Sequence, residues 1–497
     1  MPEGATLVWF RRDLRLRDHG ALRVALARGA PIVPVFVLDE AAERPHGSGG
    51  ASRWWLHGSL AALEQALAAR GSRLVLRRGD SGEQIRALLA ETGARVIAWN
   101  TSHEPALRRR DDALAAAFRA AGFVVALGAG GLLFEPDEVR TRGGGPFQVF
   151  SPFWRHCRGL DWRRPEGEKV PAVVPAPPRW PRSDVLESWM LRPRLPWAAG
   201  FGEHGEPGEE AARRRLREFV RAGLDGYAVQ RDRPACDGTS RLSAALHFGE
   251  LSPRQVRAAV EAAPSDTGAV PRSRGAQVFL DELGWREFAH HLLWHFPQTA
   301  ERPLREAYAS FPWQSDAAVQ RAWQRGQTGY PIVDAGLRQL WRTGWMHNRV
   351  RMIVASVFVK HLLQPWRDGA AWFADTLVDA DLANNTLGWQ WSAGCGADAA
   401  PYFRVFNPVL QGEKFDAEGA YVRRWVPELV RLPAAVIHQP WEAEPAVLAA
   451  AGVRLGDNYP RPLVEPKPGR ARALAALAEW RQGQRDPALA RETGGRA

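Results

Sequence analysis

Asp381, Asn385 and Trp389 stand four residues apart in the segment DADLANNTLGWQW (Asp379–Trp391). If that segment is helical, the spacing places the three on one face. A face of carboxylate, amide and indole suits a flat heteroaromatic ligand with hydrogen-bonding edges. Just upstream, MHNRVRM (Met346–Met352) adds Asn348, Arg349 and Arg351 beside the soft thioether of Met352. The competing reading is a buried polar network that only fixes helix packing.

A second constellation lies in DELGWREFAHHLLWH (Asp281–His295), which sets Glu282, Trp285 and Arg286 on adjoining helical positions. A carboxylate for base edges, an indole for stacking and an arginine for phosphate make a nucleotide pocket. His291 and His295 have the i, i+4 spacing of metal ligands, but HLLWH lacks the glutamate of HExxH and a third ligand, so no metal is expected. In DGTSRLS (Asp237–Ser243), Thr239 and Ser240 are predicted N-caps of the following helix. Free N–H groups there suit phosphate, with Arg241 adding charge; a plain helix cap is the alternative. GCGADA (Gly394–Ala399) fits a loose GxGxxA pattern but follows a helical segment rather than a strand, so it is not read as dinucleotide-binding.

The elements that must position these groups fall into two classes. LVWF (Leu7–Phe10), PIVPVFVL (Pro31–Leu38), RLVLRR (Arg73–Arg78), RVIAWN (Arg95–Asn100) and FVVAL (Phe123–Leu127) read as strands separated by helical stretches. Continuous apolar strands alternating with helices predict a Rossmann-like parallel α/β domain over residues 1–132. Prolines 171, 175, 177, 178, 181, 193 and 196 mark a long interdomain linker, 133–207, draped over the surface. Residues 208–465 read as a large helical domain without strands, and 466–497 as a terminal helix and loose tail.

A chain of 497 residues exceeds one ordinary core, and 45% hydrophobic with 24% charged residues is a soluble globular composition. No apolar run spans a membrane, no signal peptide opens the chain, and three cysteines without a CxxC pair argue against disulfides or zinc. A cytoplasmic enzyme is the expectation. The net charge of +11 rests almost entirely on arginine, since only Lys169, Lys360, Lys414 and Lys467 are lysines. Such a surface draws in nucleic acid, although genomic base composition also favours arginine. The 22 tryptophans exceed what packing uses; indoles stack on bases or cofactors and pass electrons.

FRRDLRLRD (Phe10–Asp18), GTSRLS, ELGWREF, WQRGQTGYPIVDAGLRQLWRTGWMHNRVRM (Trp323–Met352), DADLANNTLGWQW and APYFRVFNPVLQGEKFD (Ala400–Asp416), in this order, closely resemble the photolyase/cryptochrome family across residues 5 to 465. The resemblance implies a U-shaped FAD in the helical domain and an antenna chromophore in the α/β domain. By position, Tyr227, Thr239, Ser240, Arg241, Leu242 and Ser243 are implied as its phosphate and ribose contacts. Arg351 and Asp379 are implied as an ion pair beside the isoalloxazine, Asp381 as a ring-edge contact and Asn385 as the neighbour of N5. Glu282, Trp285, Asn348 and Met352 match the lesion pocket of the cyclobutane pyrimidine dimer branch, and Arg286, Arg349 and Arg404 match positions near DNA phosphates. The six-four repair branch carries a histidine in place of Asn348. Trp389, Trp366 and Trp313 fall on the family's three-indole electron chain.

Two positions depart from the family. Asp18-His19-Gly20 stands where DN is usual, and Leu107 stands near the glutamate of the folate-binding branch. Methenyltetrahydrofolate, held by stacking on Trp54 and Trp55, is the first candidate antenna; a deazaflavin, a second flavin or an empty cleft are alternatives. The implied activity is light-driven repair of pyrimidine dimers by a monomer needing no protein partner. A cryptochrome photoreceptor would be expected to carry a long C-terminal extension, whereas only about 30 residues follow the matched region. A DNA-binding protein with a vestigial flavin would bind undamaged duplex with little preference for dimers.

Overall fold

The computed structural model describes residues 4–165, 169–193, 195–263, 273–398 and 403–485. Ala399 of GCGADA, Ala400, Pro401 and Tyr402 of the last motif, parts of the linker and the tail beyond 485 lie outside the described residues.

Five strands, β1 (Thr6–Phe10), β2 (Ile32–Leu38), β3 (Val75–Arg78), β4 (Val96–Asn100) and β5 (Val124–Gly128), form one parallel sheet in the order β3-β2-β1-β4-β5. The intervening helices are α1 (Gly20–Ala27), α2 (Gly50–Ala68), α3 (Ser81–Thr92) and α4 (Pro105–Ala120). Apolar residues at both phases of the pleat are required because both faces are covered. Leu7 and Trp9 of β1 enter one core, Val8 and Phe10 the other. Only β5, at the sheet edge, leaves apolar side chains exposed, at Val124 and Leu127.

The strand order reverses between β1 and β4, where open α/β sheets place their ligand crevice. The loops there are already charge-matched: Arg11 pairs with Asp111 and Arg12 with Glu104. The residue that broke the expected DN pattern has a clear part here. His19 Nδ1 caps α1 by accepting from Leu22 N at 3.1 Å, and its Nε2 lies 3.1 Å from Asp13 and 3.2 Å from the Asn100 amide.

Residue contacts divide the chain into two compact units. The first comprises Met1–Ala228, Thr239–Pro297 and Ala374–Ala383; the second comprises Val229–Gly238, Gln298–Phe373 and Asn384–Ala497. This division cuts across the boundaries expected at 132, 207 and 465. The linker is not a bare strap: it contains α5 (Phe150–Arg158), and Val174, Leu186, Trp189, Leu191 and Phe201 are buried in the first unit's core. Its apolar residues are too widely spaced to show periodicity, yet these five are buried, while Val173, Val185, Met190 and Leu195 stay exposed. Within 208–465 the described residues form helices and loops with no strand, apart from one isolated bridge, Leu455 to Tyr459.

Two helix starts differ from expectation. The helix in DADLANNTLGWQW is Leu382–Ala393, so Asp379 and Asp381 precede it, while Asn385 and Trp389 remain one turn apart within it. The helix after GTSRLS is Ser243–His247 with Leu242 at the N-cap and no side-chain cap, so Thr239 and Ser240 do not cap it. They lie in the preceding loop, where their carbonyls accept from the Arg215 guanidinium at 2.9 and 3.0 Å. Arg241 turns that loop with φ 54°, a left-handed conformation that a non-glycine residue adopts at a cost of about 1–3 kcal/mol.

Candidate functional site

In the first unit, the helix Arg274–His295 is capped by Ser273, whose hydroxyl accepts from Ala276 N at 3.1 Å. It presents half-buried Glu282, Trp285 and Arg286 on adjoining positions. Asp281 locks its orientation by accepting from Trp154 Nε1 at 2.9 Å and Gln277 Nε2 at 2.8 Å. Trp285 lies flat on Phe150 of α5, ring centroids 3.7 Å apart and planes 10° apart, with Phe288 edge-on to both. The indole is therefore held in place before any ligand arrives, with one face backed. Arg286 Nη1 donates to the Gly131 carbonyl at 3.1 Å.

Asp381 is gathered into the same unit. Its Oδ2 lies 3.5 Å from His247 Nδ1 and 3.5 Å from His290 Nε2, close for charge but long for hydrogen bonds. Burial alone would raise its carboxyl; His290, His247 and Arg286 outweigh it and hold the group well below the usual carboxylate range. Burial pushes the His290 imidazole down to about 3, although the Asp381 carboxylate pulls the other way. Glu104, against Arg12, is pushed up by burial. Asp379 is buried, and so is Tyr227, edge-on to Phe219 and Phe279. Leu242 is buried, whereas Ser243 is exposed.

In the second unit, Asn348 is the exposed first residue of the helix Asn348–Ser356, and His347 Nδ1 accepts from Arg349 N at 3.2 Å. Arg349 is held by Asp232 at 2.7 Å, by the Met352 sulfur at 3.7 Å and over the Phe415 ring at 4.5 Å. Arg351 Nε donates to the Met346 carbonyl at 2.8 Å. Asn385 Nδ2 donates to the Ala370 carbonyl at 2.9 Å, which fixes how its amide is presented. Arg404 is exposed, with its guanidinium 5.4 Å from the Phe406 ring.

Of the three indoles, Trp389 and Trp366 are buried and Trp313 is partly exposed beside Phe311. Trp389 packs on Phe373, Phe358 and the wholly buried Trp323, with centroids at 5.0, 5.8 and 6.2 Å. A Cβ at Gly369 would fall 2.1 Å from the indole, so only glycine admits the ring there. A cavity of about 50 Å³ in this unit is lined by Lys360, Trp391, Phe403 and Arg404, among others. The sequence reading named neither Lys360 nor Trp391 as functional. Lys360 Nζ donates to Ala393 O at 2.7 Å, and burial drives its pKa well down.

The remaining motif residues have structural partners. His291 Nε2 accepts from Phe147 N at 3.1 Å, and His295 Nε2 is 3.1 Å from the Pro136 carbonyl. Of the tryptophan pair in α2, Trp55 is buried with Nε1 on Glu250, so only Trp54 keeps a partly exposed ring. Residues outside the expected set that stand in contact with it include Phe150, Asp232, His247 and His290. No helix among the described residues is long and apolar enough to cross a membrane.

Sequence comparison decides the family. The chain is 48% identical over 473 residues to a deoxyribodipyrimidine photo-lyase of Agrobacterium fabrum, covering 95% of this chain and 97% of that one. This chain belongs to the photolyase/cryptochrome family. Family profiles described as DNA photolyase and as the FAD binding domain of DNA photolyase match residues 6–176 and 279–479. Other photolyase/cryptochrome members include the Escherichia coli deoxyribodipyrimidine photo-lyase, 40% identical over 96% of this chain and 99% of that one. Arabidopsis thaliana cryptochrome-1 is 38% identical over 96% of this chain and 71% of its own length. The crystal structure of a bacterial class III photolyase from Agrobacterium tumefaciens superposes with a TM-score of 0.92 at 46% identity, covering 97% and 98% of the two chains.

The FAD that this family implies can be tested against the residues present. His290 is more than nine-tenths buried, and neither ring nitrogen has a hydrogen-bond partner among the described residues; the same holds for Nδ1 of His247 and Nε1 of Trp389. Buried polar atoms are normally satisfied, so orphans of this kind fit a polar heteroaromatic ligand.

Proposed function

We propose that this protein repairs cyclobutane pyrimidine dimers in DNA under light, as a cytoplasmic monomer with FAD as its cofactor. The observation that carries this reading is the Trp285 indole, backed flat by Phe150 and flanked on its helix by Glu282 and Arg286. FAD would be held by Tyr227, the run Thr239–Ser243, Arg351, Asp379, Asp381 and Asn385. When bound and reduced, it supplies on illumination the electron whose transfer opens the cyclobutane ring.

The chain's own residues do the rest. Arg286, Arg349 and Arg404 grip phosphates; for Arg349 this means exchanging the Asp232 carboxylate for a phosphate oxygen. A dimer that has lost normal stacking is cheaper to flip, which gives part of the selectivity. Trp285 then stacks on the extruded dimer with its unbacked face. Glu282 and Asn348 hydrogen-bond the pyrimidine edges, and Met352 lines the pocket with an adaptable apolar wall. Trp389, Trp366 and Trp313 serve to return oxidised flavin to the reduced state.

A cryptochrome-type photoreceptor is the second reading, favoured by the similarity to the two Arabidopsis cryptochromes. Illumination of the reduced protein with dimer-containing oligonucleotide separates the two: recovery of pyrimidine absorbance is expected, and none would exclude repair. The second chromophore is proposed to be methenyltetrahydrofolate, stacked on Trp54, with a deazaflavin as the alternative; chromophores released by denaturation will identify it.

Two variants probe the cofactor's surroundings. Asn385→Asp is expected to change which flavin redox state accumulates under light, because a carboxylate replaces a neutral amide; an unchanged spectrum removes Asn385 from that position. Trp366→Phe is expected to slow photoreduction of oxidised flavin while leaving repair by pre-reduced enzyme intact. Loss of both would show that Trp366 is needed for the fold rather than for electron transfer.

A further inference from the structure

Asp381 comes from a stretch far along the chain, yet it is completed by two histidines from different helices. His247 ends the short helix Ser243–His247, and His290 lies on the long helix Arg274–His295. Each imidazole is 6% exposed, and each brings a nitrogen to 3.5 Å from the same carboxylate oxygen, Oδ2. An unsatisfied buried polar group costs about 1–3 kcal/mol, so a buried histidine that leaves both ring nitrogens without partners calls for an explanation. His290 leaves both nitrogens without a hydrogen bond among the described residues, and His247 leaves Nδ1. The polar group each of them approaches at 3.5 Å is a carboxylate that the proposed function puts against the cofactor.

We infer that His247 and His290 are positioning residues for Asp381, aiming and fixing its carboxylate as an anion at the edge of the bound flavin. The inference rests on the proposed FAD site and adds to it residues that nothing in the motif pattern assigns. The charged groups around the trio come from three sides. Arg12 follows β1 and Glu104 precedes α4, their side chains paired with each other, and Arg286 stands one turn before His290. The trio sets the Asp381 carboxylate between two imidazoles brought in from different helices. Such an anion is pre-organised: no side chain has to turn when the ring docks. Losing one imidazole frees the carboxylate to rotate or to take up a proton, and either change alters the field at the ring.

The test is a double-mutant cycle read on the flavin, not on repair. Asp381→Asn, His290→Leu and the double variant are purified with bound flavin, and midpoint potential and flavin dissociation are measured for each. His290→Leu in the wild-type background is expected to shift the potential and weaken flavin retention roughly tenfold. In the Asp381→Asn background the same substitution is expected to add nothing, because its effect runs through the carboxylate. His290→Gln, which keeps one donor, should restore most of the retention. Equal shifts in both backgrounds, or no shift in either, overturn the assignment.

If His290→Leu does not fold, histidine-labelled protein decides instead. Asp381→Asn should move two imidazole signals of the 13 histidines, and a spectrum without such changes overturns the inference. Wild-type protein that binds no flavin would remove the proposed function itself, whereas flavin bound with independent substitutions removes only this step.

Discussion

Trp285→Ala is expected to weaken binding to dimer-containing DNA by roughly 1–3 kcal/mol, the range for removing a base-stacking aromatic. That is about five- to 150-fold in affinity. Undamaged duplex, whose bases stay stacked, should lose far less. Phe150 makes the expectation specific: lying 3.7 Å behind the indole, it holds the ring in one orientation and so spares the complex the cost of ordering it. Phe150 cannot replace what it supports, since it sits one ring thickness further back. Phe150→Leu should therefore give a partial loss in the same direction. Fluorescence anisotropy with matched damaged and undamaged duplexes checks both, and equal losses for the two duplexes would falsify the stacking assignment.

The second large effect is on stability. Burial pushes Glu250 up from 4.5 to about 7, against the donors that favour its charged form: Ser59 Oγ and Gly208 N at 2.6 Å and Trp55 Nε1 at 3.1 Å. Glu287 is likewise pushed to about 7 by burial, although Arg286 and the N–H groups of Leu133 and Phe134 pull the other way. A carboxyl raised on folding binds more protons in the folded state than in the unfolded one. The contribution of these two carboxyls to stability is therefore greatest below about pH 4.5, falls as pH rises towards 7, and is level above that. Each group corresponds to roughly 3 kcal/mol across this window.

Glu250→Gln keeps the acceptor and removes the charge, so it is expected to raise stability at pH 8 by up to about 3 kcal/mol and to change little at pH 4.5. Glu287→Gln should gain less, because it gives up the Arg286 contact. Urea denaturation at the two pH values reads the difference; an equal loss at both would mean that the ionised carboxylate is the form the fold prefers.

Much of this was readable from local pattern. The strands of the sheet announce themselves because β1, β2 and β4 are buried on both faces, leaving no room for polar alternation. Glu282, Trp285 and Arg286 were legible because they share one uninterrupted helix. What local pattern missed lies in contacts between distant segments. Asp381 looked helical by spacing, but it sits ahead of the helix, its carboxylate drawn to His247 and His290. Thr239 and Ser240 have the right side chains for caps, yet the left-handed turn at Arg241 delays the helix until Ser243. Phe150 behind Trp285 and Asp232 beside Arg349 come from more than 100 residues away, where no periodicity connects them.

The short return of the chain at Ala374–Ala383 bears on how the molecule is made. Gly50 N donates to Asp375 and Ser52 Oγ to the Leu377 carbonyl, each across 325 residues, and Val378 fills the core beneath the sheet. On the ribosome, at about 5–20 residues per second, roughly 12 to 50 s pass between the end of β5 and the arrival of this segment. The nascent sheet must wait that long with a gap in its core, and the piece that fills it is the one that delivers Asp379 and Asp381.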